Sequence, residues 1–192
     1  RTFRDDLFAE YKGTRERMPD ELRVQIERIR EVVQALNIPV LELENFEADD
    51  VLGTIARQAK PHAVPVHIIT GDRDLLQLVD DNTRVELPTR GGKPPEIYDE
   101  TAVIEKFGVH PHQFVDYKAL VGDTSDNIPG VAGIGPKTAV TLLTAHQTLD
   151  NLYNNIEAVK GATRKKLEEG KDSAYLSQKL ARIVVDAPIT LH

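Results

Sequence analysis

The 192-residue chain contains no cysteine, no tryptophan and a single methionine, and aromatic residues make up only 5% of it. Without cysteine there is no disulfide framework and no thiolate metal site, which fits a reducing compartment. No run of about 18 apolar residues exists to span a membrane, and the first six residues are mostly charged and lack a signal-peptide core. The expectation is a cytoplasmic protein with no membrane partner. Internal repeats and low-complexity tracts are absent as well. So is an excess of positive charge: 31 acidic residues face 24 basic ones, for a formal net charge of −7. Proteins that bind polyanions are more often basic. That sign does not veto such a partner, because divalent ions bound where acids gather reverse the local charge. Setting aside seven carboxylates singled out below leaves 24 acids against 24 bases, an otherwise balanced surface.

What is present suits a globular fold. Hydrophobic residues form 40% of the chain, enough for one core or two small subdomains. Leu22, Ile26, Ile29, Val33 and Leu36 recur at steps of three and four, predicting an amphipathic helix over 19–36. A strand is expected over 40–43 after Pro39, and a helix over 48–59 with Val51, Leu52, Ile55 and Ala59 inward. The β-branched run 66–70 reads as a strand closed by Gly71, and 75–79 as helical. Strand-helix alternation at this spacing predicts an α/β fold with a parallel sheet. Turn formers over 88–95 predict a loop dividing the chain. Beyond it the pattern turns helical: Asp99 caps a helix running to Phe107, Pro111 opens one reaching Leu120, and Pro136 starts one through Leu143. Leu152, Leu167, Tyr175 and Leu180 suggest further short helices.

Three acidic groups fall at element ends: Glu47, Asp49 and Asp50 before a helix, Asp72 and Asp74 after a strand, Asp123 and Asp126 after a helix. In open α/β sheets ligands gather beyond the carboxyl ends of strands, where Asp72 and Asp74 are expected. Glu47 and Asp50, three apart, can project to one side of a helix start. Mg²⁺ and Mn²⁺ prefer such hard oxygens, and seven acids could serve two ions. Two ions about 4 Å apart can activate a water and stabilise a departing phosphodiester oxygen. The competing reading of each group alone is helix capping and turn formation.

Gly130-Val-Ala-Gly133-Ile-Gly135-Pro-Lys137-Thr138 is a tight turn feeding a helix, able to offer backbone N–H groups and one cation to phosphate. The spacing is not that of a phosphate-binding P-loop, and an ordinary helix-helix connection explains it too. Contacts of this kind read shape, not sequence. Near the start, Arg1, Arg4, Lys12, Arg15 and Arg17 surround Tyr11. That grouping suits flapped or single-stranded DNA, or simply a solvated face. The six histidines carry no pattern and are read as surface or core residues.

Taken together and in this order, Thr2-Phe-Arg4 with Tyr11-Lys12-Gly-Thr-Arg15, Glu47-Ala-Asp-Asp50, Thr70-Gly-Asp-Arg-Asp74 and Gly122-Asp-Thr-Ser-Asp-Asn-Ile-Pro-Gly130 leading into Gly133-Ile-Gly-Pro-Lys137 are specific. Over essentially its whole length the sequence resembles the 5′ nuclease domain of bacterial DNA polymerase I, and more distantly phage 5′ nucleases and flap endonucleases. The resemblance implies a PIN-like parallel-sheet nuclease core over 1–96, including the base of a helical arch. An all-helical, SAM-fold-like helix-three-turn-helix region for DNA would follow over 97–192. It implies a first metal cluster of Glu47, Asp49 and Asp50 and a second of Asp72, Asp74, Asp123 and Asp126, holding two Mg²⁺ or Mn²⁺ ions. Lys12 and Arg15 match catalytic cations at the arch base, and Arg4 and Tyr11 fall to DNA binding. Gly133, Gly135, Lys137 and Thr138 match the turn that grips duplex phosphates, where K⁺ also sits. The implied activity is structure-specific 5′-3′ exonuclease and flap-endonuclease hydrolysis of nicked or branched DNA in replication and repair, by a monomer near the bacterial nucleoid. The family begins with a strand carrying an early metal-binding Asp and has a second Asp shortly before Thr-Phe-Arg. This chain starts at Arg1, so it is expected to be a fragment with an incomplete first cluster, continuing into a polymerase. Two alternatives stand beside this: a module that binds DNA structure without cutting, and a PIN-type ribonuclease, which the hairpin turn and Lys12/Arg15 disfavour.

Overall fold

A computed structural model describes residues 1–190. The chain opens with a one-turn helix α1 (Phe3–Leu7) and an irregular segment, then the long helix α2 (Asp20–Ala35) and α3 (Ala48–Ala59). Strands β1 (Val66–Ile69), β2 (Thr83–Leu87) and β3 (Glu96–Tyr98) follow, with a 3₁₀ turn over Arg73–Leu78 between the first two. The rest is helical: α4 (Glu100–Phe107), α5 (Phe114–Val121), α6 (Pro136–His146), α7 (Leu149–Asn154), α8 (Gly161–Glu169) and α9 (Lys171–Ala181).

Local chemistry accounts for most boundaries. Asp99 accepts from the Ala102 N–H at the start of α4, and Gly108 ends that helix at φ +74°, a backbone conformation open to glycine at no steric cost. Pro136 sits at the first turn of α6, where its missing N–H costs nothing. Residues 111–113 form a 3₁₀ turn before α5 instead of its first turn.

The sheet departs from expectation in three ways. β1 and β2 pair in parallel, Val66 against Thr83, but β3 runs antiparallel to β2, Val85 against Tyr98, so the sheet is mixed. The turn-rich stretch 88–95 lies within the sheet, as the loop joining β2 to β3. No strand forms over 40–43: Pro39 removes one donor, no partner strand lies alongside among the described residues, and Val40 and Leu41 are exposed.

One hydrophobic cluster runs through the sheet and the helices beyond it. Ile68, Leu75 and Val85 from the sheet region share it with Phe114, Leu120, Leu143, Leu152 and Leu167. α2 stands apart, with no buried residue, and Leu22, Val24, Ile29, Val32 and Leu36 are exposed. Among the described residues no helix is long and apolar enough to cross a membrane.

A buried ion pair ties α1 to α3, and its arginine also reaches the segment after α9. Arg4 donates through two nitrogens to the Asp50 carboxylate at 2.7 and 2.8 Å, and also to the carbonyls of Leu180 and Arg182. Asp50 accepts in addition from the N–H groups of Glu47 and Val184. Truncating Arg4 leaves a buried carboxylate without its counter-ion, which costs about 3–5 kcal/mol. Urea unfolding of Arg4→Met is therefore expected to show a loss of that size, against a change of under about 1 kcal/mol for Arg1→Met at an exposed pair.

Candidate metal centre and nucleic-acid interface

Three segments deliver carboxylates to one side of the molecule. Glu47 is the N-cap of α3 and Asp49 lies in its first turn. Asp72 caps the 3₁₀ turn after β1, accepting from the Asp74 N–H at 2.9 Å, which fixes the two acids together. Asp123 and Asp126 lie in the loop between α5 and α6. That loop is pinched shut by paired N–H···O bonds between Asp123 and Ile128, 2.8 and 2.7 Å. Gly130, at φ +63°, presses on Gly122 so closely that a Cβ would lie 2.4 Å from the Gly122 nitrogen, so only glycine fits.

The acids influence one another across these segments. Burial and then the charges of Asp72, Asp74 and Glu47 push Asp49 up to about 6. Burial, with Asp72 and Asp123 alongside, pushes Asp74 up to about 6 even against the neighbouring Lys118 ammonium. Asp123 moves the other way, to about 2: burial alone would raise it, but hydrogen bonds from Lys118 and Ser125 outweigh that.

Cations bridge the acids. Lys118, on α5, contacts Asp74 directly and lies 2.6 Å from Asp123. Lys12 lies 2.8 Å from Glu47 and 3.8 Å from Asp126, and Arg15 donates to Asp126. The Tyr11 hydroxyl sits between Glu47 and Asp126, 3.3 and 3.4 Å away. Asp126 thus neighbours Glu47, whereas Asp72, Asp74 and Asp123 stand with Asp49.

Three expected site residues are used otherwise. Asp50 does not face the acid cluster; at the third position of α3 it turns inward, wholly buried, to bind Arg4 and close the capping box with Glu47. Arg4 is buried in the same pair and meets no solvent-borne ligand. Tyr11 is buried against Ile128, Leu180 and Ala181, so its ring offers no stacking face to a base. The sequence reading also missed Lys118. Its signal was a lone lysine inside the apolar helix Phe114–Val121, where burial demands a carboxylate partner.

The hairpin after Gly130 leads into α6. Gly133 has φ +78°, its carbonyl accepts from Lys166 at 3.1 Å, and Gly135 is the N-cap. Lys137 is exposed with no partner among the described residues, and Thr138 lies beside it in the first turn.

Among the described residues no three carboxylates stand close enough to close around one ion as placed. The donor set still suits a hard cation: Mg²⁺ keeps most of its waters and takes one or two carboxylates, and Asp72, Asp74 and Asp123 offer nothing but oxygen.

Comparison with known proteins decides the family. Residues 1–108 match the model of the 5′-3′ exonuclease N-terminal resolvase-like domain, and 109–192 that of its C-terminal SAM fold. The chain belongs to the 5′-3′ exonuclease family. Within that family it is 49% identical to a DNA polymerase I of Caldicellulosiruptor bescii and 48% identical to one of Chloroflexus aurantiacus. All of the chain is covered in both cases, but it spans only 23% and 21% of those relatives. Among solved folds, this exonuclease-family chain resembles the bacteriophage T5 D15 protein co-crystallised with metal ions, at 23% identity and TM-score 0.76. That match covers 95% of this chain and 70% of the other. The catalytic core of Rad2 in complex with DNA is similar at 22% identity and TM-score 0.60, covering 94% of this chain and 61% of that one.

The raised acids make a pH-dependent prediction. A carboxyl held above its unfolded value of about 3.9 favours folding below that value, and the benefit is lost as pH rises through about 6. In EDTA at pH 7.5, Asp49→Asn is expected to raise Tm by about 3 °C, the response of a domain this size to roughly 1 kcal/mol. At pH 4 the gain should vanish; thermal melts at both pH values decide it.

Proposed function

We propose that this chain carries the DNA-cutting centre of a divalent-metal-dependent 5′ nuclease acting on flaps, nicks and related junctions. The single observation that carries the reading is the meeting of Asp49, Asp72, Asp74 and Asp123, from three distant segments, beside three cations. Folding gathers like charges at a cost, and that cost is offset once divalent ions and a phosphodiester occupy the same place. Bound ions would supply water activation and neutralise charge on the departing oxygen. Asp72, Asp74 and Asp123 would hold one ion with Asp49 beside it, and Glu47 and Asp126 would serve the other. Mg²⁺ fits best, and Mn²⁺ has the same oxygen preference.

Lys12 and Arg15 bring positive charge to the scissile phosphate, while Lys118 keeps Asp74 and Asp123 side by side. Away from the acids, the N–H groups at the start of α6, with Lys137 and Thr138, grip duplex phosphates, where a K⁺ ion on the hairpin carbonyls would help. In the intact protein a polymerase domain would be covalently attached, as the names of the relatives suggest. The protein would act as a cytoplasmic monomer on chromosomal DNA.

A binding-only reading has one observation in its favour: as placed, no three described carboxylates close around one ion. The two readings separate on a 5′-flap substrate with Mg²⁺, comparing this chain with a longer protein that contains it. In whichever version cuts, Asp72→Ala, Asp74→Ala and Lys12→Ala should each lower the rate by about 10²-fold or more, as loss of a charge-stabilising group does. Unchanged rates in all three variants would overturn the assignment; flap binding without cutting by both proteins would favour the binding module.

A further inference from the structure

Helix α9 meets all three acidic groups through its last two residues. The Ala181 carbonyl accepts from Gln77, whose side-chain amide also donates to the Asp74 carbonyl, both at 3.0 Å. The Leu180 carbonyl accepts from Arg4, the partner of Asp50 at the start of α3. Leu180 and Ala181 also pack with Ile128, in the loop that carries Asp123 and Asp126.

Further back along α9, two serines one turn apart hold a single residue. Ser177, wholly buried, accepts from the Gly130 N–H at 2.9 Å, and Ser173 donates to the Gly130 carbonyl at 2.6 Å. Gly130 is where the acid loop ends and the hairpin begins, and it already presses on Gly122. Beyond it the hairpin sits on the corner between α8 and α9. Val131 packs so closely on Gly170 that a Cβ there would lie 2.7 Å from it, and Lys166 lies along Gly133 and donates to its carbonyl. The outer side of the hairpin, with Gly133, Gly135 and Lys137, stays exposed.

Gly130 is buried, so its N–H and carbonyl need partners, but any backbone or side chain nearby could serve. Here both go to one helix, the helix whose other end holds the acids. Ser173 lies seven residues before Leu180, which is about 10 Å along a helix axis. We propose that α9 is the spacer that fixes how far the hairpin stands from the acids, with Ser173 and Ser177 as positioning residues that set which phosphodiester is cut. The inference rests on the DNA-cutting reading above, with its hairpin grip, and deepens it. Successive phosphates of one strand advance by about 3.4 Å along a duplex, so a hairpin that slipped by that much would bring the next phosphate to the acids. A clasp on both sides of Gly130 opposes such a slip.

A 5′-flap substrate with Mg²⁺, its products resolved to one nucleotide, reads the cut position in whichever version of the protein cuts, this chain or a longer one that contains it. Wild type should give one dominant product. Ser177→Ala and Ser173→Ala should each raise the share of cuts one or two nucleotides away by about fivefold, the effect of one lost hydrogen bond, and the double variant by up to about thirtyfold. Ser173→Thr, which keeps the hydroxyl at a half-buried position, should retain the wild-type pattern. Flap binding, read by anisotropy in Ca²⁺, should stay within about twofold of wild type, because the outer side of the hairpin is untouched. Val103→Ala, a core truncation on α4 outside the clasp, should lower Tm by several degrees without moving the cuts.

Wild-type cut positions in both single variants and in the double variant would overturn the spacer and leave the DNA-cutting reading standing. A spread of equal size in Val103→Ala would overturn it too, since any loss of stability would then suffice. Flap binding weakened about tenfold with the cut position kept would overturn it in favour of a clasp that only holds the hairpin together. Should Ser177→Ala fail to fold, Ser173→Ala at its half-buried position decides alone. Failure of wild type to cut in either version would overturn the DNA-cutting reading and the inference with it.

Discussion

The way the start of α3 presents its acids to the cluster depends on Arg4 and Asp50 finding each other in the interior. Taking a guanidinium and a carboxylate out of water costs several kcal/mol per ion, and their attraction offsets this only if the remaining donors and lone pairs are also filled. Here they are: two backbone carbonyls accept from Arg4, two backbone N–H groups donate to Asp50, and among the described residues no buried side-chain nitrogen or oxygen lacks a partner. The pair joins α1, the start of α3 and the segment after α9 at one point, residues 46 to 178 positions apart in sequence. Successive helix residues point about 100° apart, so fixing Asp50 inward turns Asp49 outward towards Asp72 and Asp74. A buried charge that contributes little net stability thereby determines which carboxylates are free to do chemistry.

Outside that pair, acids and cations alternate. Glu47 and Asp126 share Lys12 and Arg15, Asp74 and Asp123 share Lys118, and Asp49 with Asp72 has no cation of its own. Burial first and acidic neighbours second raise Asp49 to about 6, while Lys118 and Ser125 outweigh burial at Asp123 and bring it to about 2. The net charge of −7 carries none of this information. Position decides: a phosphodiester would meet repulsion at the centre unless divalent cations lay there, and attraction at Lys12, Arg15 and Lys137 around it.

Much of this was legible in the residues, and the failures have physical causes. Helices that start with a cap or a proline were read closely, as with Asp99 before α4 or Pro136 at α6, because those signals act locally. β2 was missed although Thr-Arg-Val-Glu-Leu alternates inward and outward, since five residues with two charges give a weak period. β3, with three residues, gives none. The segment 40–43 has strand composition, but a strand exists only through its partner, and composition does not show one. Motif spacing singled out the three acidic segments that meet in the fold, yet it could not tell Asp49 from Asp50. That distinction lies in a contact with Arg4, 46 residues away, and in the direction of each side chain. Lys118 was hidden for the same reason: its partners Asp74 and Asp123 come from elsewhere in the fold.

The parts that would touch a long polymer are built differently from the acid cluster. Pinched loops, caps and a shared core hold the carboxylates, so their geometry is set before anything binds. α2 has 16 residues, an apolar stripe in the open and no buried side chain, and an isolated helix of that length is marginal in water. The hairpin at Gly133 likewise exposes N–H groups and Lys137 without internal partners. A rigid centre flanked by elements whose contacts are completed from outside would couple engagement of a substrate to its alignment. Selectivity for shape would then follow from the number of surfaces engaged at once, without any base being read by its edge.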